Sequence, residues 1–336
     1  MTKAVALLSG GLDSTLAVKM MVDQGIEVHA LNFTSAFCTC TSSSRKDGGC
    51  KSESRRVASE FGIPIKVMIK GSDYIDIVRN PDHGYGKGMN PCVDCRIYMF
   101  KEAKRYMEEI GASFIITGEV LGQRPMSQRR DTFRIIERDS GLEGLILRPL
   151  SAAHLEPTVP EKTGLVDRKK MLSVAGRGRR VQIDLAESLG VNDYPCPSGG
   201  CLLTDKIFSK KVKDLFDHKK DIAKADLALL RTGRHFRFMG RKIIVGRDEL
   251  DNKKLKNLVQ PGYTLIEPRD FAGPVVVIAG EADAASRDFA GSLVLRYASS
   301  KANGNRTLTA TLDGRVEEFE PCEAAMDETL EETRVC

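Results

Sequence analysis

Short runs of continuous apolar residues alternate with longer amphipathic stretches through the first half of the chain. Val5 to Leu8 is such a run and predicts a buried strand. Ser14 to Gln24 carries helical spacing and stops at Gly25, and Val28 to Phe33 reads as a second strand. The pattern repeats as a helix from Ser54 to Phe61 with Gly62 as its stop, a strand from Ile65 to Ile69, a helix from Tyr98 to Ile110 stopped by Gly111, and a strand from Phe114 to Thr117 ending at Gly118. Alternation of this kind predicts an α/β fold, a parallel sheet with helices on both faces. Ligands of such sheets bind beyond the carboxyl ends of the strands. The residues after Leu8, those after Phe33 and the Thr117-Gly118-Glu119 turn all fall there, so three separated segments are expected to meet in one crevice.

The second half changes texture. Pro157, Pro160 and Gly164 punctuate a connecting region, followed by an expected basic helix from Val166 to Gly190 and a Lys-rich helix from Phe208 to Leu230. Beyond Thr232, Phe236 to Phe238, Lys242 to Val245, Tyr263 to Ile266 and Val275 to Ile278 read as short strands, with a basic helix from Asp251 to Leu258 between them. The organisation expected is an α/β domain at 1–155, a basic helical connector carrying Cys201 at 156–231, a small α+β domain at 232–310 and an acidic tail at 311–336.

Charge sharpens this division. The net charge of the 336 residues is only +5, yet between Glu161 and Gln260 there are 23 Lys and Arg against 13 Asp and Glu. A basic middle suits a polyanionic partner, and an acidic end suits solvation; a solvated helix face is the plainer reading of either. No apolar stretch approaches the ~20 residues of a membrane span, and the first residues form a strand rather than an export signal. A cytoplasmic location with no membrane partner is therefore expected. Nine cysteines in such a setting argue for thiol or metal chemistry over a disulfide framework.

Three motifs carry candidate chemistry. In Ser9-Gly10-Gly11-Leu12-Asp13-Ser14-Thr15, two glycines join a strand to a helix whose first-turn amides and dipole favour an anion. No Gly-Lys-Ser/Thr follows, which excludes a Walker loop. Asn90-Pro91-Cys92-Val93-Asp94-Cys95-Arg96 places two thiols three residues apart before a helix, fit for a shared metal, a redox dithiol or an uncommitted pair. Pro197-Ser198-Gly199-Gly200-Cys201 supplies a third thiol on a flexible approach, with Cys196 beside it in a more structural context. Cys38, Cys40 and Cys50 sit on the Ser/Gly-rich segment after the second strand, which could close over the site, hold zinc, or carry uncommitted thiols.

The string SGGLDS resembles the PP-loop of the N-type ATP pyrophosphatase superfamily, whose fold is an adenine nucleotide alpha-hydrolase-like parallel sheet. With NPCVDCR and PSGGC downstream it is similar to the tRNA thiolation branch, the MnmA-type tRNA 2-thiouridylases and the tRNA 4-thiouridine synthases. The resemblance implies binding of ATP and Mg2+ at Ser9, Gly10, Gly11, Asp13, Ser14, Thr15, Phe33, Thr117 and Gly118, with Asp13, Cys95 and Cys201 catalytic. Arg96, Gln123 and Arg124 are further candidates to neutralise the phosphates. It also implies a 4Fe-4S cluster on Cys92, Cys95 and Cys201, as in thiolases with three such cysteines, or else a persulfide on Cys201. The implied partners are tRNA and a sulfur donor, either sulfide or a persulfide from a cysteine desulfurase, and the assembly a homodimer. Thr117-Gly118-Glu119 lacks the histidine usual after Thr-Gly in the MnmA proteins. The segment from Phe238 through Gly246-Arg247 to Lys253, Lys254 and Lys256 resembles the RNA-binding domain of NFACT proteins, which implies phosphate contacts without sequence reading. The alternatives are a PP-loop enzyme that sulfurates or amidates a small molecule, and a non-catalytic, nucleotide-regulated RNA-binding protein.

Overall fold

The computed structural model describes residues 1–39, 50–191, 194, 200–298, 306–321 and 323–336. The side chains of Cys50 and Lys51 are not described, and Cys40, Cys196 and the 197–199 approach to Cys201 also lie outside the described residues. The chain divides into two compact units, Met1–Thr204 and Asp205–Cys336.

The first unit holds a five-stranded parallel sheet made of β1 (Lys3–Leu7), β2 (Glu27–Thr34), β3 (Ile65–Ile69), β4 (Phe114–Thr117) and β5 (Ile146–Leu147), in the order β3-β2-β1-β4-β5. The continuous apolar runs are continuous because both faces are covered. Ala4, Ala6 and Leu8 of the first run pack with Leu16 and Met21 of α1 (Leu12–Val22), whereas Val5 and Leu7 pack on the other face with Ile97 and Phe100 of α4 (Cys92–Glu109). Strand order reverses beside β1, so the crevice between the ends of β1 and β4 is the switch point at which ligands of this architecture bind.

Several elements differ from expectation. The helix α2 (Cys50–Glu60) begins before Ser54, and α4 begins at Cys92 rather than Tyr98, so both thiols of the Cys-x-x-Cys lie in its first turn and not on a preceding turn. The helices not read from the sequence include α3 (Ser72–Arg79) and α5 (Arg130–Ser140), the latter closed by the left-handed Gly141. The expected helix from Val166 to Gly190 is a loop with a 3-10 turn at Arg168–Lys170, beyond the short α6 (Val159–Lys162), and only then α7 (Arg180–Ser188). Val166, Met171, Val174, Ala186 and Val191 bury in the α1 side of the sheet core, so this stretch is part of the first unit rather than a connector.

The second unit begins with α8 (Lys206–His218) and α9 (Lys224–Leu229), one expected helix broken at 219–223. Six antiparallel strands follow, β6 (Arg234–Phe238), β7 (Arg241–Val245), β8 (Thr264–Pro268), β9 (Val276–Ile278), β10 (Leu308–Leu312) and β11 (Arg315–Phe319), in the order β11-β10-β8-β9-β7-β6. The β6–β7 hairpin turns on Met239 and Gly240, both at positive φ, as a tight two-residue loop of this hand requires. α10 (Glu249–Leu258) and α11 (Ala284–Tyr297) pack on the sheet, with Phe289 of α11 stacked 4.3 Å from Phe238. The acidic end is not a free tail. Its β11 pairs with β10, Leu330 of α12 (Asp327–Thr333) enters the core, and Glu317, Glu318 and Asp327 pair with Arg287, Arg269 and Arg296.

Candidate functional site

A cavity of about 370 Å3 opens at the switch point. Ser9 and Gly11 line it from the loop between β1 and α1, Asp13 and Ser14 from the first turn of α1, Leu31, Asn32 and Phe33 from the end of β2, Thr117, Gly118 and Glu119 from the end of β4, and Arg96 and Met99 from α4. The three segments expected to converge do so. Gly10 and Thr15 are not in the lining; they shape the loop instead. Gly10 sits at φ +78, and a Cβ there would stand 2.6 Å from Glu53 Cβ and 2.7 Å from the Ser54 amide nitrogen. Thr15 is buried, its hydroxyl donating to the Gly11 carbonyl at 3.1 Å. The Ser14 hydroxyl donates to the same carbonyl at 2.9 Å and accepts from the Ser9 amide at 3.3 Å, and the Gly11 amide donates to Ser9 Oγ at 3.3 Å, which leaves the Gly10 amide and the first-turn amides of α1 as the principal anion donors. At Gly11 an added Cβ would meet only Ser9 Oγ, at 3.5 Å, so nothing but an occupant of the cavity requires glycine there. Gly118 is required by the protein: its Cβ would lie 2.5 Å from the backbone of Asp13.

Gln123 donates to Asp13 Oδ2 at 3.0 Å, which leaves Asp13 Oδ1 buried with no hydrogen-bond partner. An unpaired carboxylate oxygen beside an anion-binding loop fits Mg2+, a hard cation that takes one or two carboxylates and completes its shell with phosphate and water. Asn32 Oδ1 is a second buried acceptor without a partner in the lining, its amide nitrogen being spent on the Leu8 carbonyl at 2.8 Å.

Arg96, Arg124, Arg177 and Arg179 line the same cavity. Arg96 reaches the buried Glu119 at 3.2 Å, and Glu119 is shared with the buried Arg148 at 3.2 Å. Burial first, and then the like charge of Arg96, lower the Arg124 pKa from its ordinary value. Arg177 and Arg179 were missed by the sequence reading because they lay within an expected helix. They arrive on a loop pinned by backbone, where the Gly176 amide donates to the Leu121 carbonyl at 2.7 Å and Ser151 bridges the Leu121 amide to the Val174 carbonyl. The only signal was compositional, Arg177-Gly178-Arg179-Arg180.

One residue before Arg96 on α4, the Cys95 thiol accepts from Lys70 Nζ at 2.9 Å. Burial, the largest influence, works to raise the Cys95 pKa, but the Lys70 charge and hydrogen bond, a hydrogen bond from Tyr74 and the Arg96 charge together lower it below the ordinary thiol value. Cys201 is the reverse, pushed up to about 12 by burial and by the neighbouring Cys95 and Cys38. Burial and Cys95 also raise Cys92, whose sulfur accepts from Asn90 Nδ2 at 2.9 Å. Cys201 is positioned by the backbone that follows it: the Leu202 amide donates to the Phe37 carbonyl, and the Met89 amide to the Leu203 carbonyl, each at 2.9 Å. Tyr74 of α3 is buried beside this group, and Cys95, Cys201 and Cys38 all push its pKa upward, with burial the first cause. Lys70 and Tyr74 were not legible as site residues.

The cluster expected on Cys92, Cys95 and Cys201 stays an expectation. Among the described residues no three Cys, His, Asp or Glu side chains gather to hold a metal ion. Cys95 is engaged by an ammonium, Cys92 by an amide, and it is Cys38 rather than Cys92 that the backbone pairs with Cys201. In the second unit, Arg247 is not a free phosphate contact: it is bound to the buried Asp251 at 2.5 Å. Lys253 pairs with Glu249, and Lys256 with Glu267. No described helix is long and apolar enough to cross a membrane.

Comparison with known proteins agrees with both motif readings. Residues 1–159 match the family model of the thiamine biosynthesis protein ThiI, and residues 233–333 match the NFACT protein RNA binding domain. A tRNA-specific 2-thiouridylase MnmA of Clostridium acetobutylicum is 32% identical over 133 residues, 34% of this chain and 35% of that protein. A probable tRNA sulfurtransferase of Thermococcus kodakarensis is 30% identical over 157 residues, 47% of this chain and 39% of that protein. The chain thus spans less than half the length of these relatives. Among solved structures, a crystal structure of a 4-thiouridine synthetase–RNA complex with bound ATP is similar at 21% identity and a TM-score of 0.39, covering 68% of this chain and 52% of that one.

Proposed function

We propose that the protein is an ATP-dependent tRNA sulfurtransferase that adenylates a uridine carbonyl oxygen and replaces it with sulfur. The observation that carries this reading is the joining of two chemistries on one helical turn: Arg96 faces the phosphate-binding cavity while Cys95, one residue earlier, accepts from Lys70, whose charge favours the thiolate. ATP lies with its β and γ phosphates on the amides that follow Ser9 and its base toward Phe33, Leu31 and Met99. Asp13 Oδ1 would hold Mg2+, which would supply charge to neutralise the phosphates. The arginines around the cavity stabilise the charge that develops as pyrophosphate leaves the α phosphate. O-adenylation converts the uridine oxygen into the leaving group AMP.

Sulfur transfer follows from the opposed states of the thiols. A persulfide on Cys201, supplied by an external donor, attacks the activated carbon through its terminal sulfur and AMP departs. The Cys95 thiolate then attacks Cys201 Sγ, the persulfide S–S bond breaks, the thiocarbonyl is released on the RNA, and a Cys95–Cys201 disulfide remains. An iron–sulfur route would need Cys92 and Cys95 to leave Asn90 and Lys70, and no step is assigned to it. Anaerobically purified protein carrying about four irons per chain would overturn the thiol route.

The second unit supplies RNA affinity, and the proposed setting is the cytoplasm. The test is release of pyrophosphate from ATP on addition of tRNA, with nucleoside mass spectrometry of the RNA. Pyrophosphate released only with a small-molecule acceptor would favour small-molecule sulfuration or amidation. ATP bound without any turnover would favour a nucleotide-regulated RNA-binding protein.

A further inference from the structure

Cys38 has no role in the scheme above, yet it is the residue that the backbone sets directly across from Cys201. The two form an isolated antiparallel bridge. The Leu202 amide donates to the Phe37 carbonyl at 2.9 Å, one residue beyond the pair on one strand and one before it on the other. That pattern identifies Cys38 and Cys201 as a non-hydrogen-bonded pair, the narrow site of an antiparallel ladder, where opposed Cα atoms lie about 4.5 Å apart and side chains share one face. A disulfide spans Cα separations of about 4.4 to 6.8 Å, so the backbone already lies within its reach. Each sulfur has its own resting partner. Cys38 Sγ accepts from the Ser35 amide and lies against its hydroxyl, both at 3.3 Å, while Cys201 Sγ lies 3.7 Å from the Phe37 carbonyl. To meet, each sulfur must leave these partners by rotation about χ1.

We infer that Cys38 is the resolving thiol of the site, forming a reversible cross-strand disulfide with Cys201. The inference rests on the sulfur-transfer reading for its purpose. Cys38 attacks Cys201 Sγ of the Cys95–Cys201 disulfide, the new S–S bond forms as the old one breaks, Cys95 departs as a thiolate to Lys70, and the Cys38 proton passes to solvent. An external dithiol then reduces the Cys38–Cys201 bond, giving back two thiols and leaving as its own disulfide. The exchange moves the oxidised pair away from Cys95, which returns to its ion pair ready for the next transfer.

The test uses the full chain in mixtures of reduced and oxidised dithiothreitol, trapped with a maleimide and mapped by peptide mass spectrometry, with fragmentation to separate Cys38 from Cys40. The expected product is a linked pair of peptides joining Cys38 to Cys201. That pair should be lost in Cys38→Ser, where oxidised Cys201 should instead be joined to Cys95. Cys201 that stays reduced throughout, or that joins only Cys95, Cys40 or Cys50 in the parent protein, overturns the inference. So does Cys38 that remains fully alkylated wherever Cys201 is oxidised. Neither ATP nor RNA is present, so the linkage can fail while tRNA thiolation stands, and thiolation can fail while the linkage stands.

Discussion

At the scale of single residues, the proposed chemistry depends on two charges held in place by partners far away in sequence. Asp13 is oriented by Gln123, leaving one oxygen for the cation. Asp13→Asn keeps the shape and removes the charge, so thermal stability should stay within about 1 kcal/mol, whereas pyrophosphate release should fall by about 100-fold or more, on the scale of losing an electrostatic stabiliser. Parent-like turnover in the variant would remove Asp13 from the site. Lys70 does the corresponding work for Cys95, and the sign of its pH effect is fixed. Burial alone raises the thiol pKa; Lys70 is the foremost influence that brings it below the ordinary value, so the thiolate persists to lower pH than in a free cysteine. In Lys70→Met, burial loses its main opponent. The pH at which Cys95 becomes reactive toward iodoacetamide should therefore move upward, and at neutral pH alkylation should slow; an unchanged profile would refute the ion pair. Asp13 and Cys95 were readable from their motifs, because their neighbours in sequence are their neighbours in chemistry. Lys70, Tyr74 and Arg177 were not, since each is brought in by a separate element and no local pattern distinguishes a site lysine from a solvated one.

At the scale of elements, the loop between β1 and α1 separates two reasons for glycine that the sequence presents as one. Gly10 is held at positive φ against α2, and a side chain there would meet backbone. Gly10→Ala should cost about 1–2 kcal/mol for the left-handed backbone and about 1–3 kcal/mol more for overpacking, measured by urea unfolding. Gly11 has ordinary dihedrals and open space on the cavity side. Gly11→Ala should lower stability by no more than about 1 kcal/mol, the difference between these residues at a helix N-cap, yet weaken ATP binding by obstructing close approach of phosphate to the amides. If Gly11→Ala binds ATP as the parent does, the phosphates do not sit on this loop. Strand and helix alternation was legible over β1 to β4 because the continuous apolar runs report burial on both faces. The helix α5 was obscured by its charge: Arg130, Asp131, Arg134, Glu137, Arg138 and Asp139 outnumber the buried Phe133 and Ile136, which mark its inner face. The stretch from Val166 to Gly190 misled for the opposite reason. Up to Arg179 its apolar residues bury at irregular intervals along a loop, which mimics helical spacing before α7 begins.

At the scale of the whole molecule, the basic middle of the chain is divided between two units with separate cores. The sequence placed a boundary at Arg231, between a helical connector and the strand-rich module. The structure gives α8 to that module: Lys211 donates to the Gly233 carbonyl at 3.1 Å, and Asp214 holds Arg237 at 2.8 Å as well as Lys242. Truncation after Arg231 would strand Asp214 and the apolar face of α8 in water, whereas truncation after Thr204 removes the second unit intact and leaves Cys95, Cys201 and every residue of the phosphate cavity. The protein ending at Thr204 should bind ATP with parent-like affinity. Its affinity for tRNA should fall, and a plot of log affinity against log salt should become shallower by about 0.7 to 0.9 for each phosphate contact removed, since each contact releases condensed counterions. If both the affinity and the slope survive truncation, RNA binding belongs to the first unit, where Arg168, Lys169, Lys170, Arg177, Arg179 and Arg180 supply the nearest comparable run of cations.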